Sequence, residues 1–215
     1  MILSEFESKE LLRSYGIFTV EEMLARDPDE AVRRANELGY PVAVKLCATG
    51  LAHKTERNLV RLGLARDDEV RAAAVDVLGR RESHESDAQL LVQRMIGGRR
   101  ELILGLTRDR QFGPCVMLGL GGILAEAVRD VVFRVAPLTS VDASEMVEEL
   151  KAAPLLGAFR GEPEVDREAL ALALVALGVI GLEHPEITSI DVNPMILAGR
   201  RPVAVDALIE RTSVR

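Results

Sequence analysis

The chain has no tryptophan and only 3% aromatic residues, so its interior has to be built from aliphatic side chains. Cysteine is scarce as well. Cys47 and Cys115 each lie inside an apolar run, without metal-site spacing, and read as reduced buried thiols rather than a disulfide. No run approaches the roughly 18 apolar residues that a membrane-spanning helix requires. The opening MILSEFESKELL is acidic and amphipathic, whereas a signal peptide starts basic and continues apolar. A soluble cytoplasmic protein with no membrane partner is expected. Basic residues are in deficit: 27 Lys and Arg face 34 Asp and Glu, for a formal net charge of −7. That excludes a general nucleic-acid binder, which needs clustered cations against phosphates. It leaves room for a local basic pocket.

What is present suits a globular fold. Of the 215 residues, 48% are hydrophobic and 28% charged, enough for one sizeable domain or two joined subdomains. Ser4 and Glu7 have capping-box spacing, Leu11, Leu12 and Tyr15 continue a helical stripe, and Gly16 is a stop. Asp27-Pro28 opens a second helix that ends at Gly39. Val42–Cys47 is a short apolar run that reads as a central strand. A polar loop from Ala48 to Asn58 follows. Then come a strand over Leu59–Ala65, a helix over Asp67–Leu78, and strands over Leu90–Met95, Glu101–Thr107 and Pro114–Leu120. Asp109–Gly113 has hairpin character. The rest reads as a strand over Val131–Val135, helices over Asp142–Leu150 and Asp166–Leu182, and strands over Ile187–Val192 and Val203–Ile209. Strands and helices do not alternate strictly, which favours an α+β fold.

Five features carry chemistry. Lys45 in VAVKLC lies in an apolar strand, where a cation needs an anionic partner such as phosphate. An edge-strand lysine whose stem reaches water would leave the same trace. His53, beside Lys54 in GLAHKTERN, could accept a phosphoryl group as a nucleophile. It could equally be a solvated loop histidine. Gly119, Gly121 and Gly122 suit either backbone approach to an anion or a tight bend. Arg134 in VVFRVAP offers a guanidinium fork for a triphosphate, or a structural pair with a nearby carboxylate. Asp191 and Asn193 in SIDVNPM share one side of a strand, and Asp206 follows on the next. Their oxygens are hard ligands of the kind Mg2+ prefers, although Asn-Pro also marks ordinary turns.

In this order the segments resemble the β subunit of ADP-forming acetyl-CoA synthetase, in the family of NDP-forming acyl-CoA synthetases. The resemblance is carried by LSEFESKELLRSYGI, GYPVAVKL, LAHKT, LLVQRM, ELILGLTRDRQFGPCVMLGLGG, RDVVFRVAPL, and SIDVNPMILAG with AVDALI. It implies an ATP-grasp fold, α+β, of two subdomains (1–95 and 96–215) with the nucleotide between their sheets. Lys45 and Arg134 would meet the phosphates of ATP or ADP. Gln93, Arg94 and Met95 would flank adenine, and Glu101 would line the cleft. Asn193 and Asp206 would hold Mg2+ with Asp191 close by, and His53 would carry phosphate transiently. A CoA-binding α subunit is the implied partner, in a heterotetramer. Two departures stand out. The family continues the His-Lys loop with an Asp and a Gly-Gly pair, where this chain has Glu56, Arg57, Asn58 and Leu59. It also places an acidic residue where Ser189 stands. These motivate a second reading, a non-catalytic nucleotide-binding or regulatory module with a degenerate phosphate loop.

Overall fold

The first helix starts where a side chain caps it. Helix α1 (Glu5–Ser14) opens with Ser4 Oγ accepting from Glu7 N at 3.3 Å and Glu7 Oε2 accepting from Ser4 N at 2.9 Å. In the computed structural model, which describes residues 1–52, 54–122, 129–158 and 160–212, the chain divides into two units. The first comprises Met1–Glu7 and Val20–Ile96, and the second Ser8–Thr19 and Gly97–Arg215.

In the first unit, β1 (Glu22–Ala25), β2 (Val42–Cys47), β3 (Val60–Leu64) and β4 (Gln89–Arg94) form one antiparallel sheet in the order β1-β4-β2-β3. Helix α2 (Pro28–Leu38) is capped by Asp27, whose side chain accepts from Glu30 N at 2.8 Å. With α3 (Asp67–Gly79) it supplies Ala31, Val32, Ala35, Val70, Ala74 and Val77 to a core shared with Val42, Val44, Leu46, Leu90 and Val92. Strand period two sends Ala43, Lys45, Leu91 and Gln93 to the opposite face.

In the second unit, β5 (Glu101–Asp109), β6 (Gly113–Leu120), β7 (Val131–Val135), β8 (Ile187–Ala198) and β10 (Ala207–Arg211) run in the order β10-β8-β5-β6-β7. Strand β9 (Arg201–Ala204) also pairs with β8. Helices α4 (Ser140–Glu149) and α5 (Arg167–Glu183) cover one face, where Leu104, Leu106, Val116, Leu118, Ile190 and Val192 are buried. The seating is close: a Cβ on Gly181 of α5 would fall 2.5 Å from Leu106 Cδ1 and 2.8 Å from Pro114 Cβ. Among the described residues, no helix is long and apolar enough to cross a membrane.

Four elements differ from the sequence reading. Strand β1 has only four residues and no strong alternation, so nothing in its local pattern announced it. A 3-10 turn over Ala153–Leu156, opened by Pro154, was also unforeseen. The run Val203–Ile209 is two strands, not one. It breaks at Val205–Asp206, where Val205 N donates to Pro194 O at 3.0 Å and Asn193 N to Asp206 O at 3.3 Å. Conversely, β8 is longer than expected, because β10 pairs with its first half and β9 with its second.

Candidate functional site

Lys45 is on a central strand, paired on both sides by β3 and β4, which removes the edge-strand alternative. Its side chain is 5% exposed, and Nζ lies 2.6 Å from Oε1 of Glu5, itself 2% exposed. The other oxygen of Glu5 pairs with Lys54. A carboxylate from the first turn of α1 thus gathers a strand lysine and a loop lysine. Buried charges need such partners to keep their ionised form. His53 lies outside the described residues. The rest of its loop is tied down: Gly50 N donates to Ile2 O at 3.0 Å and Thr49 N to Asp87 Oδ2 at 3.0 Å. Arg57 grips Glu85 through two bonds, of 2.5 and 3.2 Å, and holds its carboxyl below the usual range.

The residues that stand where a Gly-Gly pair was expected have structural work. Asn58 adopts φ +54°, the left-handed region that asparagine tolerates better than most residues. Leu59 is fully buried in the first unit's core, and its N–H donates to Lys54 O at 2.8 Å. The altered loop is therefore accommodated by backbone and core rather than left ragged.

Gln93 shares the face of Lys45 and is 2% exposed, opposite Ala43 and Glu22 in register. Arg94 is exposed and pairs with Glu21 at 3.1 Å, and Met95 N donates to Pro41 O at 3.0 Å. In the second unit Glu101 borders a cavity of about 460 Å3, with Arg99, Leu120, Leu155, Arg160 and Leu197 among its walls. The neighbouring glycines serve close packing. A Cβ on Gly121 would lie 2.9 Å from the Glu101 carbonyl carbon, and one on Gly119 2.9 Å from Val131 Cγ1. The Gly121 amide is already spent on Glu101 O, at 2.8 Å.

Asp191, Asn193 and Asp206 come together where β8 faces the start of β10. Asp191 aligns through Gly105 and Met117 with Phe133, on the sheet face away from α4 and α5. Arg134 does not join them. It aligns with Val116, Leu106 and Ile190 on the helix-covered face, and its guanidinium pairs with Glu149 of α4. The structural-pair alternative describes this arginine, and the hydrogen bond that it donates to Glu149 raises its pKa.

The chemistry of the donor set suits a hard cation. Crowding by the surrounding protein, and then the carboxylate of Asp206, push the Asp191 carboxyl above its ordinary value, although the side chain remains open to solvent. A divalent ion would relieve that repulsion. Among the described residues no three His, Cys, Asp or Glu side chains are gathered to hold a metal unaided. Asp191 and Asp206 offer two carboxylates, and Mg2+ characteristically takes one or two and completes its shell with water and phosphate oxygens. Both cysteines are free, and burial raises the Cys47 thiol.

The residue that the sequence reading passed over is Glu5. Its signal was present: Ser4, Glu5, Ser8 and Lys9 fall on one helical face, and all four are buried. A polar stripe that folding buries demands partners, and Lys9 Nζ finds Val205 O at 3.1 Å, next to Asp206.

Residues 1–210 match the ATP-grasp domain model. The chain is 44% identical over 208 residues to the β subunit of acetate–CoA ligase (ADP-forming) I of Pyrococcus furiosus, covering 95% of this chain and 90% of that protein. It is 38% identical to acetate–CoA ligase (ADP-forming) I of Archaeoglobus fulgidus, a longer protein of which the match covers 28%. Acetyl-coenzyme A synthetase 1 of Ca. Korarchaeum cryptofilum, solved with coenzyme A and Ca-AMPCP, superimposes with a TM-score of 0.90 at 41% identity, over 98% of this chain and 93% of that one. Another structure of that enzyme holds coenzyme A and Mg-AMPPCP, with its phosphohistidine segment pointing towards the nucleotide-binding site; its TM-score is 0.83 at 42% identity, over 97% and 93% of the two chains. The chain belongs to the ATP-grasp family and, within it, to the β subunits of ADP-forming acetate–CoA ligases.

Proposed function

We propose that this chain is the nucleotide-binding subunit of an ADP-forming acyl-CoA synthetase, moving phosphate between ATP or ADP and His53. The overall reaction is acid + ATP + CoA to acyl-CoA + ADP + phosphate. Lys45 meets the phosphates, Gln93, Arg94 and Met95 flank the base, and Glu101 lines the nucleotide site. Asn193 and Asp206 hold the metal, with Asp191 close by. The observation that carries this reading is geometric: Asp191 and Asn193 on one side of β8 meet Asp206 just before the start of β10, where Asn193 N donates to Asp206 O at 3.3 Å.

A ring nitrogen of His53 attacks the γ-phosphorus. The N–P bond forms as the bond to the bridging oxygen breaks, and ADP leaves with the electron pair. Lys45 holds phosphate oxygens in line, so that charge shifts without reorganisation of solvent. Bound Mg2+ supplies further neutralisation of the phosphates. A CoA-binding α subunit then exchanges the phosphoryl group with His53 through its own histidine, in a heterotetramer like that expected of the family. The second reading, a module without chemistry, rested on Glu56–Leu59. The φ of Asn58 and the burial of Leu59 account for those residues structurally, which favours the enzyme.

The test is incubation with Mg-[γ-32P]ATP. Acid-labile, base-stable label on the wild type, absent from His53→Ala, is the expected outcome. Nucleotide binding with no label, with the α subunit also present, would select the regulatory reading.

A further inference from the structure

We propose that Glu5 is a positioning residue for phosphoryl transfer, pinning Lys54, and with it the loop in which His53 immediately precedes Lys54, to Lys45. The proposal rests on the function put forward above and adds a residue to it.

Glu5 is a first-turn helical carboxylate, and ordinarily such a residue faces water and favours the helix dipole. Here its side chain is 2% exposed and bridges two ammoniums, one on each oxygen. Lys45 comes from the middle of a central strand and Lys54 from the loop after it. Lys54 is 10% exposed at its side chain, low for a loop lysine, whose stem and head usually stay in water. A buried ion cluster is a poor way to gain stability, since apolar residues of similar volume commonly do as well or better. What it supplies is geometry. Within a low-dielectric surround the pairing is strong, and it fixes where each ammonium sits.

The loop's other anchors leave this one with a distinct task. Ile2 O holds Gly50, Asp87 holds Thr49, and Glu85 holds Arg57, none of them through Lys45. Glu5 alone among these anchors ties the loop to the strand lysine assigned to phosphate. The backbone closes the arrangement: Lys54 O accepts from Leu59 N at 2.8 Å, and Leu59 O accepts from Leu46 N at 3.0 Å, beside Lys45. Ordering a loop costs backbone entropy at every residue fixed. Meeting part of that cost before nucleotide arrives lowers what remains to be ordered for phosphoryl transfer, in which the N–P bond forms as ADP departs.

The test is a double-mutant cycle of Glu5→Gln and Lys54→Gln, read in two ways. The first is modification of Lys54 by a limiting amine-reactive ester, followed by peptide mass spectrometry, with exposed Lys151 as internal reference. Glu5→Gln should raise Lys54 modification at least tenfold over that reference. The second is the rate of label transfer from Mg-[γ-32P]ATP, beside Mg-ATP affinity by calorimetry. Each single variant should slow transfer at least tenfold with affinity kept within threefold, and the double variant should be no slower than the worse single one, because both remove the same link. Losses that multiply, or unchanged Lys54 modification, overturn the proposal. If the wild type binds no nucleotide, the functional reading fails, while the modification result still decides whether Glu5 places Lys54. Should Glu5→Gln not fold, Lys54→Gln leaves the Glu5–Lys45 pair intact and carries the test: unimpaired transfer in it refutes the idea.

Discussion

Replacing Arg134 by methionine separates two accounts of the same residue. The sequence reading placed it on the phosphates, whereas the register of β5, β6 and β7 puts it on the helix-covered face, paired with Glu149. The magnitude follows from exposure. The arginine side chain is 29% exposed and the glutamate 49%, so water screens the pair, and such pairs contribute about 0.2–1 kcal/mol. Methionine keeps an unbranched stem against Val116 and α4, so little packing is lost. Urea unfolding should show a loss of at most about 1 kcal/mol. Mg-ATP affinity by calorimetry should stay within about twofold, or roughly 0.4 kcal/mol. Loss of one charged hydrogen bond to phosphate would instead cost about 1.5–3 kcal/mol, a tenfold or larger drop in affinity. A drop of that size with an unchanged urea midpoint would refute the face assignment.

Leu59→Ala should cost about 2–5 kcal/mol in urea unfolding, as for a fully buried leucine, and an exposed-loop value near zero would contradict its place in the core. Glu85→Gln should cost about 1–3 kcal/mol at pH 7. Because Arg57 lowers the Glu85 pKa on folding, the wild-type advantage is full above the ordinary glutamate value and vanishes as pH falls through the lowered one, which parallel urea series at pH 7 and in acid would detect. Asp191→Asn should raise the Mg2+ concentration needed for nucleotide binding at least tenfold. In the wild type, Mg2+ affinity should decline on acidification at a higher pH than an ordinary aspartate would give, because protonation of the raised carboxyl competes with the ion.

Much of this was legible beforehand for a common reason. Lys45, Asp191 and Asn193 stand out as polar residues inside apolar runs, and the structure has each of them in a strand. The first two helices announced themselves through their start signals at Ser4 and Asp27. Other features depend on information that the local sequence does not hold. The break at Val205–Asp206 lies inside an apolar run that reads as one strand, and only pairing with the two halves of β8 divides it. Arg134 alternates correctly for a strand, but which face the helices cover is decided by chain segments far away. Glu5 was concealed by its fit to an ordinary helix start. Its partners stand 40 and 49 positions along the chain, beyond any local pattern.

The central proposal is that this chain binds a magnesium–nucleotide complex and that Lys45 meets its phosphates. Calorimetric titration of the wild type and Lys45→Met with ATP, each with Mg2+ and with EDTA, tests it most directly. The account predicts saturable binding that needs Mg2+, weakened about 10- to 100-fold by Lys45→Met in a protein that still melts cooperatively. Binding that ignores both the metal and the lysine would contradict it.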